Sequence, residues 1–556
     1  MRLINSTTLK LEDIFDDSVP KYAILSHRWG NEEVSLQDMQ NGTAVQKAGY
    51  AKIKLCCDQA VKDGLQYSWV DTCCIDKTSS AELSESINSM YRWYQKAVIC
   101  YAFLPDVHAL DVSEDLSFRK SAWFTRGWTL QELIGPSIVE FYNSAWNKLG
   151  TKDSLADVIS VITSIDVKVL KGADPMNFSI AKRMSWASKR TTTKIEDIAY
   201  SLLGIFDVNM PMLYGEGGKA FIRLQEEIMK HSDDHSIFAW TSSESGYRGL
   251  LAKSPAYFSK CRNIVPSQFK LSRIPYSVTN MGLSVQLPMI PWAMETYFTA
   301  LDCEVEGFRD SRIGIFLARL SENSQWARVM LEGADRRTFE SELISKSKYQ
   351  SIHVRQRVSE SSPAMDKMYG FWLRKFPPVS RDDDFRFEVT SWNQWNDQER
   401  LFKIPVGSRG TAGVIVYSPQ DRRRTTLRLG FDFDFNPMCE FGNLLMSNRS
   451  SGSFESKMSR EWMDTSSDLA FKGDRNKGLD LEESYVRIVI TEGVVRNQRV
   501  WIVYISDPDE GAWNPNVVCD GCDQVSFGMT TSLCPGRRPN RMTEHLRRPF
   551  QMSHLF

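Results

Sequence analysis

The first 142 residues alternate short apolar runs with helical patterns, and this limits the fold more than any other feature of the chain. The runs are Lys21-Tyr-Ala-Ile-Leu-Ser-His-Arg-Trp-Gly30, Tyr67-Ser-Trp-Val-Asp-Thr-Cys-Cys-Ile-Asp76, Ala97-Val-Ile-Cys-Tyr-Ala-Phe-Leu104 and Ser137-Ile-Val-Glu-Phe-Tyr142. Their length and their Val, Ile, Tyr and Trp content fit buried strands. Between them, Ala51 to Asp63 carries Ile53, Cys57, Ala60 and Val61 at helical spacing. Ser80 to Lys96 carries Leu83, Ile87, Met90, Tyr91 and Tyr94, opened by a capping-box pattern, Ser79-x-x-Glu82. Strands alternating with helices predict an α/β unit with a parallel sheet covered on both faces. Ligands of such sheets sit outside the carboxyl ends of the strands. Ser26, His27, Arg28, Trp29, Asp71 and Asp76 fall at those ends.

A second pattern places chemistry near that edge. Trp128 and Glu132, inside Trp123-Phe-Thr-Arg-Gly-Trp-Thr-Leu-Gln-Glu-Leu133, are four residues apart at the start of a helix. Residues i and i+4 share a helical face. An apolar wall beside a carboxylate raises its pKa and makes it a usable acid, base or electrostatic stabiliser. The same spacing also suits a packed Trp and a solvated first-turn Glu. Arg28 can grip a phosphate bidentately beside His27, or pair with Glu32 or Glu33. Asp71 can orient ribose hydroxyls or serve as a cap, and Asp76, followed by Lys77-Thr-Ser-Ser80, reads as a turn residue. Arg126 is either an anion contact or a partner that keeps Glu132 ionised. Glu82 and Glu85 need no role beyond favouring a helix start.

Three blocks together resemble the fungal heterokaryon-incompatibility (HET) domain: Ala23-Ile-Leu-Ser-His-Arg-Trp-Gly30, Trp69-Val-Asp-Thr-Cys-Cys-Ile-Asp76 with its continuation to Met90, and Trp123 to Leu133. The resemblance continues through Arg183-Met-Ser-Trp186, Glu196 to Phe206 and Met212 to Phe221, over about residues 1–245. HET domains mediate vegetative incompatibility, a self/non-self response that ends in fungal cell death. They resemble Toll/interleukin-1-receptor (TIR) domains, whose first strand ends in a Ser-containing loop and whose later helix carries Trp-x-x-x-Glu. In enzymatic TIR domains that Glu is the catalytic residue of an NAD glycohydrolase, while many others only self-associate. The resemblance therefore implies a TIR-like unit with Glu132 catalytic. Ser26, His27, Arg28, Trp29, Asp71, Arg126 and Trp128 would then contact NAD. The alternative is a non-enzymatic module that self-associates or engages other incompatibility proteins. NAD would be a substrate, and no resident cofactor or metal is expected.

At 556 residues the chain is too long for one core. Three regions are expected: the α/β unit over 1–150, a helical extension over 151–240, and a β-rich sandwich- or barrel-like region over 241–556 with a sensing or regulatory role. In the extension, Leu155 to Ile165, Ala181 to Phe206 and Ala220 to Lys230 read as helices. Beyond it, strand candidates are Gly282–Pro288, Tyr297–Cys303, Arg312–Arg319, Trp326–Leu331, Ser351–Arg355, Phe385–Val389, Ala412–Tyr417, Thr426–Phe431, Tyr485–Ile490 and Arg499–Tyr504, with 445–480 as a loop. A formal net charge of −1 gives no argument for a nucleic-acid or membrane partner, none is expected, and the short basic run Arg422-Arg-Arg424 reads as a solvated turn. No window has the ~18 consecutive apolar residues of a membrane span, and no secretory segment follows Met1, so the cytoplasm is expected. The eleven Cys include Cys73-Cys74, expected on a strand and unbridged. Cys519-Asp-Gly-Cys522 with Cys534, and His545 and His554 downstream, match no complete zinc spacing. Tyr214-Gly-Glu-Gly-Gly-Lys-Ala-Phe221 lacks the spacing and hydroxyl residue of a phosphate loop.

Overall fold

The computed structural model describes residues 1–267 apart from 15–18, 109–111 and 113–115, and from there to residue 506 it describes the strands and some of the turns between them. The N-terminal sheet comprises β1 (Arg2–Asn5), β2 (Leu11–Asp13), β3 (Tyr22–His27), β4 (Tyr67–Trp69), β5 (Ile99–Phe103), β6 (Val139–Tyr142) and β7 (Lys148–Thr151), in the order β2-β1-β4-β3-β5-β6-β7. The four expected strands, β3 to β6, are its parallel centre. Their order, second-first-third-fourth, is that of a doubly wound sheet whose chain reverses direction of winding between β3 and β5. β3 lies at that reversal and all six of its residues are buried. The sheet is not wholly parallel: the β1–β2 hairpin and β7 pair antiparallel at its ends. Unlike β4 and β6, which lie in longer apolar runs, β1, β2 and β7 are short and flanked by polar residues, which is why the sequence did not announce them.

The flanking helices bury most of the stripes expected of them, but Val61 is 47% exposed and Leu83 and Tyr91 are only partly buried. Helix Tyr50–Lys62 buries Ile53, Cys56, Cys57 and Ala60, and helix Ser80–Lys96 buries Ile87, Met90 and Tyr94. The capping box at Ser79 is only half formed. Ser79 accepts from the Glu82 amide, but the Glu82 carboxylate turns to Arg2 (2.7 and 2.6 Å) and to the Asp76 amide. A complete box forms at Ser35 and Asp38. The run expected to be a strand through Asp76 stops at Trp69 and coils into helix Asp71–Cys74, so Cys73 and Cys74 share a helical turn. Cys56, Cys57, Cys73, Cys74, Cys100, Cys261 and Cys303 are free and buried.

The segment read as one helix from Ala181 to Phe206 is three: Ile180–Ala187, Asp197–Tyr200 and Leu203–Phe206. The break has a cause in backbone pairing. Thr191 donates its amide to the Thr125 carbonyl (2.7 Å) and accepts from the Gly127 amide (2.9 Å), so this stretch satisfies its backbone against the loop before Glu132 rather than within a helix. Gly127 makes that approach feasible, since a Cβ there would lie 2.4 Å from Thr192 Cγ2. Gly204 is equally constrained, with a Cβ meeting Tyr91 Cβ at 2.0 Å. Thr192 Cγ2 is a side-chain terminus, whereas Tyr91 Cβ is fixed to the backbone of its helix. Gly204→Ala should therefore destabilise the protein by about 1–3 kcal/mol through overpacking, read as a lower urea midpoint, while Gly172→Ala, at an open turn with φ +99°, should lose less than that.

The β-rich region is present. All ten strand candidates fall on observed strands, several longer than expected. The first set is β8 (Ile264–Pro266), β9 (Ser277–Thr279), β10 (Gly282–Ala293), β11 (Thr296–Ala300), β12 (Cys303–Val305), β13 (Ser311–Ser321), β14 (Gln325–Val329), β15 (Arg336–Glu340) and β16 (Lys348–Val354). Around β10-β11-β13-β14-β16 the pairing returns to β10, closing a five-stranded barrel, with β14 and β16 parallel. Strands between Met368 and Ser506 form two further sheets. Asn476–Leu481, expected within a loop, is a strand. Residues 445–475, Arg422, Arg423 and the zinc-like cysteines and histidines beyond 506 lie outside the described residues. Among the described residues no helix is long and apolar enough to cross a membrane.

One hydrophobic core runs from Leu3 through the helical segment, including Phe221, Leu224 and Ile228, to Ile352 and Val354 of β16. A buried polar joint fastens the chain after helix Lys219–His231 onto the barrel. Arg328 of β14, with no solvent exposure, donates to the Phe238 carbonyl (2.8 Å) and the Trp240 carbonyl (2.6 Å). Its guanidinium lies 3.7 Å from the Trp240 ring centroid and pairs with Asp335, which also holds Arg248 at 2.8 Å.

Candidate functional site

The carboxyl edge of β3 brings the candidate residues together. Ser26, fully buried, donates its hydroxyl proton to Glu132 Oε2, although 106 residues separate them. The hydroxyl has one proton, and its direction is set from the other side: Trp123 Nε1 donates to Ser26 Oγ at 2.9 Å. Trp123 is fully buried against Phe124 and Phe141, so its indole is a fixed donor. Glu132 lies in helix Thr129–Ile134, whose six residues are all buried. Burial pushes its carboxyl up to about 8; the Ser26 hydrogen bond opposes that shift, Asp71 adds to it, and Arg126 and Arg190 oppose it.

Arg190 is the buried cation of this site. It donates to the Arg126 carbonyl and to Thr129 Oγ1, both at 2.8 Å, while its Nη2 has no hydrogen-bond partner. Burial pulls it down to about 9, partly offset by Glu132. Nothing in the local sequence marks Arg190. Only the pairing of Thr191 with Thr125 brings it beneath the helix that carries Glu132.

His27 follows Ser26 and is buried, with both ring nitrogens lacking hydrogen-bond partners. Its Nε2 is 3.8 Å from Asp71 Oδ1 and 3.9 Å from Glu33 Oε2. Burial drives the imidazole down to about 3, so at neutral pH it is uncharged and these contacts are not ion pairs. A neutral imidazole offers one donor and one acceptor to a bound molecule, but no charge to a phosphate.

The remaining candidates sit at the rim. Trp29 is 47% exposed, and its Nε1 donates to Asp71 Oδ2 at 2.8 Å. Arg28 is exposed, and Glu33 is committed to Lys52 (2.5 Å) and the Gly30 amide rather than to Arg28. Arg126 reaches Thr193 Oγ1 at 3.5 Å, and its guanidinium carbon is 5.9 Å from the Trp29 ring centroid. Arg126 influences Glu132 electrostatically without forming an ion pair with it. Trp128 directs its Nε1 to Asp197 Oδ2 (3.3 Å), away into the helical segment. Asp76 closes a turn by accepting from the Thr78 amide and hydroxyl (2.9 and 2.6 Å). In the glycine-rich loop, Glu196 Oε1 accepts from the Gly215 and Gly217 amides (2.8 and 3.0 Å), so the donors a phosphate would need are held by the chain's own carboxylate. Among the described residues no group of His, Cys, Asp and Glu could hold a metal ion.

The family model described as heterokaryon incompatibility protein (HET) matches residues 22–119, which span β3, β4, β5 and the helices between them. This segment of the chain is thus similar to a HET domain. A second model, a domain of unknown function (DUF8212), matches residues 219–249, the helix and turn that lead to the Arg328 joint. Over 228 residues the chain is 50% identical to the vegetative incompatibility protein HET-E-1 of Podospora anserina. That alignment covers 39% of this chain and 17% of the relative, so the chain spans about a sixth of the curated relative it matches. The HET match takes in Ser26, His27, Arg28, Trp29 and Asp71 but ends before Trp123 and Glu132. The site is thus completed by residues beyond the matched segment.

Proposed function

We propose that this chain is a vegetative-incompatibility effector whose HET domain hydrolyses the nicotinamide–ribose bond of NAD through a TIR-like site. The observation that carries the reading is the buried Glu132 carboxyl, hydrogen-bonded by Ser26 at the end of the strand where the sheet reverses its winding. In the reaction the C1′–N bond breaks and its electron pair leaves with the pyridine nitrogen. Water oxygen then bonds to C1′ and releases a proton, giving nicotinamide and ADP-ribose. Positive charge develops on the ribose in the transition state, and a carboxylate beside it stabilises that charge. Burial makes Glu132 hold its proton up to about pH 8. The nicotinamide ring of bound NAD is cationic, and an opposite charge nearby favours the carboxylate form. The substrate would thus help to ionise the group that acts on it. Supporting the reading further, neutral His27 and the Nη2 of Arg190 are buried polar groups without partners, of the kind a bound molecule satisfies.

The test is NAD consumption by the full chain against Glu132→Gln. Absence of turnover by the unaltered protein removes the enzymatic reading and leaves a self-associating module that engages other incompatibility proteins. Trp123 supplies a finer check as a positioning residue. Trp123→Phe removes the donor that aims the Ser26 hydroxyl at Glu132. It should lower kcat by about tenfold and move the pH limb assigned to Glu132 to higher pH, because the Ser26 bond that lowers that pKa is weakened. A purely structural Trp123 would lower stability and leave the pH profile where it was.

A further inference from the structure

Two cations lie against the exposed indole of Trp29, and neither has a carboxylate within ion-pair distance among the described residues. Lys77 Nζ lies 3.6 Å from the Trp29 ring centroid. The Arg126 guanidinium lies 5.9 Å from the same ring, and exposed Arg28 precedes it in the chain. The neighbouring carboxylates are committed elsewhere. Asp71 accepts from Trp29 Nε1, and Glu33 accepts from Lys52 and the Gly30 amide. Lys52 offsets Glu33, while Asp71 keeps its charge and attracts Lys77, so Lys77, Arg126 and Arg28 still outnumber the carboxylates at this rim. The indole itself is held at its edge by Asp71, so its plane is set before any ligand arrives. A fixed aromatic face flanked by cations suits a ligand that joins a planar base to a polyphosphate.

We propose that Lys77, with Arg126 and Arg28, binds the pyrophosphate of a dinucleotide at this rim while Trp29 serves as the platform for one of its bases. This rests on the NAD reading given above and adds to it the residue and the position that hold the phosphates. In the unliganded protein Lys77 lies across the indole face. On binding, the ammonium exchanges that face for phosphate oxygens and frees the ring for stacking. Because Lys77 is exposed and lies three residues before the helix Ser80–Lys96, it can move without disturbing the core.

Binding is measured by calorimetry on the full chain carrying Glu132→Gln, so that turnover plays no part, with ADP-ribose and inorganic pyrophosphate as probes. Lys77→Gln should weaken ADP-ribose about five- to tenfold, Lys77→Arg should restore most of the loss, and pyrophosphate should compete with ADP-ribose. Trp29→Leu should weaken ADP-ribose while leaving pyrophosphate within about twofold. An ADP-ribose affinity unchanged by Lys77→Gln, or no ADP-ribose binding at all, overturns the proposal and makes Lys77 a side chain merely resting on Trp29. The two readings fail separately: binding through Lys77 without NAD turnover by the unaltered chain removes the enzymatic reading alone, and turnover with an unchanged KM for NAD in Lys77→Gln removes this one alone.

Discussion

The chain carrying Glu132→Gln is expected to consume NAD at least ~100-fold more slowly than the unaltered chain, the loss typical when one preorganised electrostatic group is removed from an active site. Gln keeps the size of Glu and can accept from Ser26, so the fold should survive and the loss should fall on kcat. The pH dependence gives the same assignment independently. Burial pushes the Glu132 carboxyl up to about 8, and on the proposed NAD reading its ionised form acts. kcat/KM for NAD should therefore rise with pH towards a plateau above 8. The limb in kcat should lie lower, since bound substrate carries a positive charge. A flat profile with undiminished Glu132→Gln turnover contradicts the assignment.

Stability should report the same carboxyl. The folded group keeps its proton to about pH 8, whereas an unfolded Glu loses it near its ordinary value of 4.5. The folded state thus binds more protons over that interval, and stability falls as pH rises through it. His27 acts the other way: held neutral down to about pH 3 against 6.5 when unfolded, it costs stability only as pH falls below 6.5. Between 6.5 and 8 Glu132 is the contributor of the two, so Glu132→Gln should flatten the decline in urea midpoint across that window.

The largest stability loss is expected at Arg328. Arg328→Ala leaves Asp335 and the carbonyls of Phe238 and Trp240 short of a buried partner and takes a cation from the Trp240 face. Breaking one side of a buried ion pair costs about 3–5 kcal/mol. The joint fastens residues 238–248 to β14, and Arg248 and Arg328 also exchange backbone hydrogen bonds at 2.8 and 2.7 Å. The effect should therefore appear as an early transition in urea, followed by tryptophan fluorescence. Arg328→Met with Asp335→Leu should lose less than the two single substitutions added together, because Asp335→Leu alone strands both Arg328 and Arg248, whereas the double variant strands only Arg248. Additive losses would mean that Arg328 and Asp335 do not act as a pair. The joint also bears on dissection of the chain. The core is shared from Leu3 to Val354, so a fragment ending near residue 245 would expose apolar surface that the barrel covers.

The sequence by itself determined the elements that have a long enough period or run. The four parallel strands, the helices Tyr50–Lys62, Ser80–Lys96 and Lys219–His231, and the ten strand segments of the β-rich region follow from local apolar spacing. It also placed Ser26, His27, Arg28 and Trp29 at a strand's carboxyl end and Glu132 near the start of a helix, whose burial only the structure shows. Tertiary structure decided what the local pattern does not encode. Two short edge strands pair only because the sheet is there to receive them. Residues 190–193 abandon a helix because the loop at Thr125 to Gly127 offers better backbone partners. Barrel closure depends on pairings among strands far apart in sequence. The site was completed the same way. Trp128, four residues from Glu132, turns to Asp197, while Trp123 and Arg190 reach the Ser26–Glu132 pair from places that no spacing rule connects. Periodicity reports the face a residue presents, whereas partner and protonation state depend on what the whole chain packs against that face.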